Sequence, residues 1–220
     1  MAELIKGLVA GRVRANLEEV GERIAAAAAA AGRSAEDVAI VAATKYVAVD
    51  ELAALAEAGI TTIGENRAQD LEAKHAAHGP LFHWDFIGHV QSRKVKQIVP
   101  LVHRIHSVGS DSVLNQLERH ARPGLEVLVE VNIAREEGKS GIDPDDLDAF
   151  LERSPVPPSG LMTMPPLAEQ PEDSRRQFAA LRELAEARGL RQLSMGTTQD
   201  FEVAVQEGAT IVRLGSVLYR

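Results

Sequence analysis

From residue 38 to residue 214 the chain repeats one unit: an apolar, β-branched run of strand length, then a stretch of helical periodicity. The runs fall near residues 38–43, 60–63, 82–87, 102–107, 126–133, 160–164, 192–195 and 210–214. They are apolar throughout rather than alternating, which marks parallel strands buried on both faces. The helical stretches carry their own punctuation. Asp50 opens one that closes at Gly59, and Ser110 opens another. Asp143 with Pro144 reads as an N-cap and first-turn proline, Glu172 to Arg188 closes at Gly189, and Thr198 opens one that closes at Gly208.

Upstream, Val13, Leu17, Val20 and Ile24 recur at helical spacing between Arg12 and Ala31, with Gly32 as the stop. Eight strand–helix units in 220 residues predict an α/β fold, a (β/α)8 TIM-type barrel with an extra N-terminal helix. An open doubly wound sheet is the other arrangement that fits the alternation. Too few residues follow the eighth strand for a full helix, and the N-terminal helix is expected to fill that gap. With 45% hydrophobic residues and no linker or repeat, one domain spanning residues 1–220 is expected.

Several classes of function fall away. There is no cysteine, so disulfides and thiolate metal sites are excluded, and the seven histidines do not group with carboxylates at ligand spacing. A net charge of −8 gives no general attraction to nucleic acid or anionic lipid. The alanines of residues 25–31 are too few to cross a bilayer, and the N-terminus lacks the basic-then-apolar order of a secretory signal. A cytoplasmic monomer without nucleic-acid, membrane or metal partners is expected.

In a barrel of this kind the chemistry gathers at the C-terminal strand ends. These ends carry Lys45, Asn66, His89, Ser107, Asn132, "MTMPP", "SMGTT" and "RLGS". Gly196, Thr197 and Thr198 open one helix and Gly215 with Ser216 opens the last, which would bring free backbone N–H groups and hydroxyls together as an anion cradle. The plainer reading is that Thr198 and Ser216 only cap their helices. Arg213 shares a strand face with Gly215, so its guanidinium would look into the same cavity, unless it pairs with a strand carboxylate such as Glu130.

Lys45 ends the first apolar run. In an apolar mouth its amine would be neutralised by desolvation and free to attack a carbonyl; the other reading is a lysine that snorkels to solvent. Lysine, phosphate cradle and buried arginine together favour a phosphorylated aldehyde or ketone as the bound molecule.

"ATKY", "GENRAQD", "WDFIGHVQSRKVK", "IHSVGS", "EVNIAREEGKSGI", "GLMTM" and "LSMGTTQDFEVAVQEGATIVRLGS" run in order through the chain. In these segments the sequence resembles the pyridoxal 5′-phosphate (PLP) homeostasis proteins, a family similar in fold to the N-terminal barrel of alanine racemase, the fold-type III PLP group. The resemblance implies that Lys45 holds PLP as an internal aldimine. It also implies that Ser194, Gly196, Thr197, Thr198, Gly215 and Ser216 surround the phosphate, that Arg213 faces the pyridine nitrogen, and that Asn66 lines the pocket.

It further implies a protein that buffers or delivers PLP, with PLP-dependent apoenzymes as partners, rather than a robust catalyst. Racemisation needs proton donors on both faces of the carbanion. Of two tyrosines, Tyr46 is expected to point away from Lys45 if the strand continues, and Tyr219 lies at the extreme end. The alternatives are a PLP-dependent racemase that uses His89 or a partner subunit's residue as second base, and a Schiff-base aldolase acting on a phosphorylated sugar. Arg93, Lys94 and Lys96 form either a solvated helix face or a route for incoming phosphate. Lys139 is either a surface lysine or a group at the cavity mouth.

Overall fold

The computed structural model describes residues 4–220. Eight parallel strands pair in chain order and close on themselves, β1 (Ala39–Ala43), β2 (Thr62–Glu65), β3 (His83–Phe86), β4 (Arg104–Val108), β5 (Glu126–Glu130), β6 (Gly160–Met162), β7 (Gln192–Thr197) and β8 (Ile211–Leu214). The barrel, not the open sheet, is the fold adopted. Closure is made by β1 against β8, with Ala39 opposite Ile211 and Val41 opposite Arg213.

The strands are buried on both sides, as their apolar runs require. On the inside, Val41, Leu128, Met162 and Ile211 form a small apolar layer with Ile87. On the outside, the larger core packs the strands against helices; Phe86, Phe150, Phe178 and Phe201 are fully buried.

Helix α1 (Ala10–Ala30) packs against α2 (Leu52–Glu57), α8 (Phe201–Gln206) and α9 (Ser216–Tyr219). It thus takes the station that a full eighth helix would occupy. Its seat is pinned by Asn16, whose Nδ2 donates to the carbonyls of Leu218 at 3.1 Å and Arg220 at 2.7 Å, and by Arg23, which pairs with Glu202 of α8.

Ser110 caps α5 (Asp111–His120) by accepting from the Val113 N–H, and Asp143 accepts from the Asp145 N–H, as their positions predict. Most of the expected strand boundaries move by a few residues, among them the fifth run, which ends at Glu130 rather than at residue 133, and two of the shifts have a visible cause. Ile60 lies before β2 rather than in it, because its N–H closes the end of α2 on the Leu55 carbonyl and the strand continues instead to Glu65. Thr198 does not open α8; residues 198–200 form a turn, and the helix starts after Asp200.

Candidate functional site

At the C-terminal end of the barrel a cavity of about 650 Å³ is lined by Lys45, Asn66, Thr197, Thr198, Arg213, Gly215 and Ser216, together with Tyr46, Met164 and Tyr219. Seven of the nine residues singled out from the sequence therefore converge on it. Ser194 and Gly196 do not line it. Ser194 is fully buried beneath the floor, where its carbonyl and hydroxyl hold Arg213. Gly196 serves the backbone: its φ is +91°, and a Cβ there would lie 2.6 Å from the Cβ of Ala204.

Lys45 stands two residues past β1, in a turn, and its side chain is exposed with Nζ 4.8 Å from the centre of the Tyr46 ring. The expected desolvation of this amine is absent, because β1 stops at Ala43 and the turn lifts the lysine out of the barrel wall. The same turn brings Tyr46 onto the cavity beside Lys45 instead of pointing it away.

The loop carrying Lys45 is held from both sides. From the inside, Lys74 on α3 (Ala68–His78) is buried with its Nζ 2.5 Å from Glu65 Oε1, and it donates to the Thr44 carbonyl at 2.6 Å. Thr44 Oγ1 donates to the same carboxylate oxygen at 2.6 Å, and the Tyr219 hydroxyl donates to the Ala43 carbonyl at 3.2 Å. Burial drives the Tyr219 phenol well above its ordinary range. From the outside, the Ile5 N–H donates to the Tyr46 carbonyl at 2.7 Å, and the N–H groups of Gly7 and Leu8 both donate to the Glu51 carboxylate. Those two backbone bonds hold the Glu51 carboxyl below the usual carboxylate range.

Arg213 is 5% exposed and makes no ion pair with Glu130. Its Nη1 donates to the carbonyl and the hydroxyl of Ser194 at 2.7 and 2.6 Å, and its Nη2 to the Thr163 carbonyl at 3.0 Å and Met164 Sδ at 3.3 Å. Burial pushes its pKa down to about 10, so it remains a cation at neutral pH. Glu130 instead accepts from Ser140 at 2.6 Å, and burial pushes its carboxyl up.

Of the expected cradle, Thr197 is already engaged: its N–H and hydroxyl donate to Asp200 Oδ1 at 2.7 and 3.1 Å. Thr198 Oγ1 accepts from the Gly215 N–H at 3.2 Å and so ties the two loops together. The hydroxyl hydrogens of Thr198 and Ser216 meet no protein acceptor among the described residues, which leaves both free for an anion. Asn66 Oδ1 is buried without a partner among the described residues, an acceptor waiting for a donor on the cavity wall.

Lys139, with its side chain 60% exposed, lines a neighbouring cavity of about 270 Å³ that shares Asn66, Ile87, Met164 and Arg213 with the first. Arg93 and Lys94 line another, of about 290 Å³, that touches the first only through Asn66. Sequence reasoning missed the layer beneath the cavity: Lys74 with Glu65, and Asp85 with His106. Glu65, Asp85 and His106 are ionisable side chains inside barrel strands, the one signal that could have marked them, whereas Lys74 sits in a helix that also carries Gln69, Asp70, Glu72 and His75 and has no such signal.

No family model matches the chain. Among curated relatives it is 38% identical to the pyridoxal phosphate homeostasis protein of Aquifex aeolicus, over 92% of this chain and 95% of that protein. Among solved structures, a protein of unknown function from Bifidobacterium adolescentis superposes with a TM-score of 0.88 at 33% identity, covering 99% of this chain and 98% of that one. PipY of Synechococcus elongatus PCC7942, solved with PLP bound, superposes with a TM-score of 0.74 at 28% identity, covering 91% of this chain and all of that one. Alanine racemase of Corynebacterium glutamicum shares the fold at 14% identity and a TM-score of 0.70, this chain matching 63% of its length.

Proposed function

The chain belongs to the pyridoxal phosphate homeostasis protein family, and we propose that it binds PLP in the cavity above the barrel and buffers or delivers it. The observation that carries this reading is convergence: one amine, one buried guanidinium and two hydroxyl-bearing loops face a single cavity of about 650 Å³. PipY, a relative of the same fold, holds PLP.

The residues suit the molecule. Lys45 supplies the primary amine, and its exposure leaves it open to an incoming carbonyl compound. Thr198 and Ser216 supply hydroxyl donors for the phosphate. Arg213 faces the ring nitrogen as a cationic donor and so favours that nitrogen as an unprotonated acceptor. Asn66 gives its unpartnered Oδ1 to the ring's hydroxyl. PLP itself contributes an aldehyde that condenses with a primary amine, releasing water.

Retention rather than turnover is supported by the tyrosines. Tyr219 gives its hydroxyl to the Ala43 carbonyl, and Tyr46 sits beside Lys45, so the two do not form an opposed acid–base pair with it. The carrier would hand PLP to PLP-dependent apoenzymes.

Borohydride reduction of the PLP-loaded protein, followed by peptide mass mapping, tests the reading. A phosphopyridoxyl adduct on Lys45, absent from Lys45→Ala, is expected. A colourless protein with no adduct would overturn it. Incubation with L- and D-amino acids should give no sustained turnover, and loaded protein should restore activity to a PLP-dependent apoenzyme.

A further inference from the structure

Four polar side chains from four strands form one buried chain through the barrel interior. Arg213 Nη1 donates to Ser194 Oγ at 2.6 Å, Ser194 Oγ lies 2.8 Å from His106 Nδ1, and His106 Nε2 lies 2.9 Å from Asp85 Oδ2. At the far end Arg104 donates to the same Asp85 oxygen at 3.3 Å and pairs with Glu126 at 2.8 Å. Asp85, His106 and Ser194 are all fully buried.

The direction of each hydrogen follows from chemistry. An ionised carboxylate only accepts, so Nε2 of His106 carries the hydrogen. In the neutral ring Nδ1 must then accept, and the only hydrogen available to it is that of the Ser194 hydroxyl. With that hydrogen committed, Ser194 Oγ presents a lone pair to Arg213. A protonated His106 would be buried between two guanidiniums and would reverse the Ser194 hydroxyl against a donor. Burial, together with Arg104 and Arg213, outweighs Asp85 and keeps the ring neutral.

The result is a guanidinium held at both terminal nitrogens. Nη1 is fixed by the Ser194 carbonyl and hydroxyl, and Nη2 by the Thr163 carbonyl and Met164. Nε is the position without a protein partner among the described residues, and Arg213 borders the cavity. We propose that His106 is a positioning residue: acting through Ser194, and with its tautomer fixed by Asp85, it aims the Nε–H of Arg213 at the ring nitrogen of the bound cofactor. This rests on the PLP reading above.

Two ligands separate the roles: PLP, and 1-deaza-PLP, in which a C–H replaces the ring nitrogen. Both are titrated calorimetrically into the wild-type chain, His106→Leu and Ser194→Ala, with circular dichroism as the check on folding. The wild-type chain should prefer PLP; both variants should lose about tenfold in affinity for PLP and little for the analogue, the size expected for one charge-assisted hydrogen bond. If His106→Leu does not fold, Ser194→Ala, the smaller change, decides. Equal losses for both ligands would show a merely structural role and overturn the proposal. So would variants that keep the wild-type preference, in which case PLP binding itself stands. Binding of neither ligand by the wild-type chain would instead remove the PLP reading and this proposal with it.

Discussion

The Lys74 ammonium is buried 2.5 Å from the Glu65 carboxylate, directly beneath the turn that presents Lys45. Both charges are cut off from water, with side-chain exposures of 4% and 0%. Removing one partner leaves the other uncompensated. Lys74→Met should therefore cost about 3–5 kcal/mol in urea-denaturation stability, and Lys74→Met with Glu65→Leu should recover most of that loss. A single variant as stable as the wild-type chain would contradict the buried pair.

Gly196 is predicted to matter for shape rather than for contact with a ligand. Its φ is +91°, and a Cβ added to it would come within 2.6 Å of the Ala204 Cβ, so Gly196→Ala has to move α8 or the 197–200 turn. A loss of about 1–3 kcal/mol is expected, read from the thermal midpoint.

Thr198 separates the phosphate from the rest of the molecule. Thr198→Val should weaken PLP binding about tenfold and leave binding of pyridoxal, which lacks the phosphate, within about twofold of wild type. Equal weakening for both would place the hydroxyl away from the phosphate.

Lys139 is exposed, 3.7 Å from Glu136, and lines the neighbouring cavity rather than the one holding Lys45. Lys139→Ala should retain the reducible adduct on Lys45; its loss would move Lys139 into the binding site.

Acid sensitivity should report on His106. Its pKa is lowered in the folded protein, chiefly by burial, against about 6.5 in the unfolded chain, so the unfolded state binds more protons in between. Its contribution is complete above about pH 6.5 and is lost as pH falls toward the folded value. His106→Gln should flatten that part of the stability curve, measured by urea melts at a series of pH values.

The barrel could be read from the sequence because both faces of its strands are buried, so the apolar runs survive as uninterrupted text. Cavity-lining residues could be read at strand ends for the same reason: Lys45, Asn66 and Gly215 are polar or small where apolar text stops, and Arg213 interrupts that text within β8. What could not be read was anything assembled across strands. Asp85 and Arg213 meet one network from β3 and β8, and no local spacing links them. Lys45 misled in the opposite way, because a two-residue turn after Ala43 decides whether its amine is buried or wet. Asp200 decided Thr197 similarly, by accepting both of its donors.

The pairing of β1 with β8, and of α1 with α8 and α9, joins the earliest elements of the barrel to its latest. During synthesis neither β1 nor the growing edge of the sheet has its final neighbour until the eighth strand leaves the ribosome. A nascent chain of this architecture therefore carries an open apolar seam until Ile211–Leu214 has been made, which makes the eighth strand the step that commits the barrel to its native state.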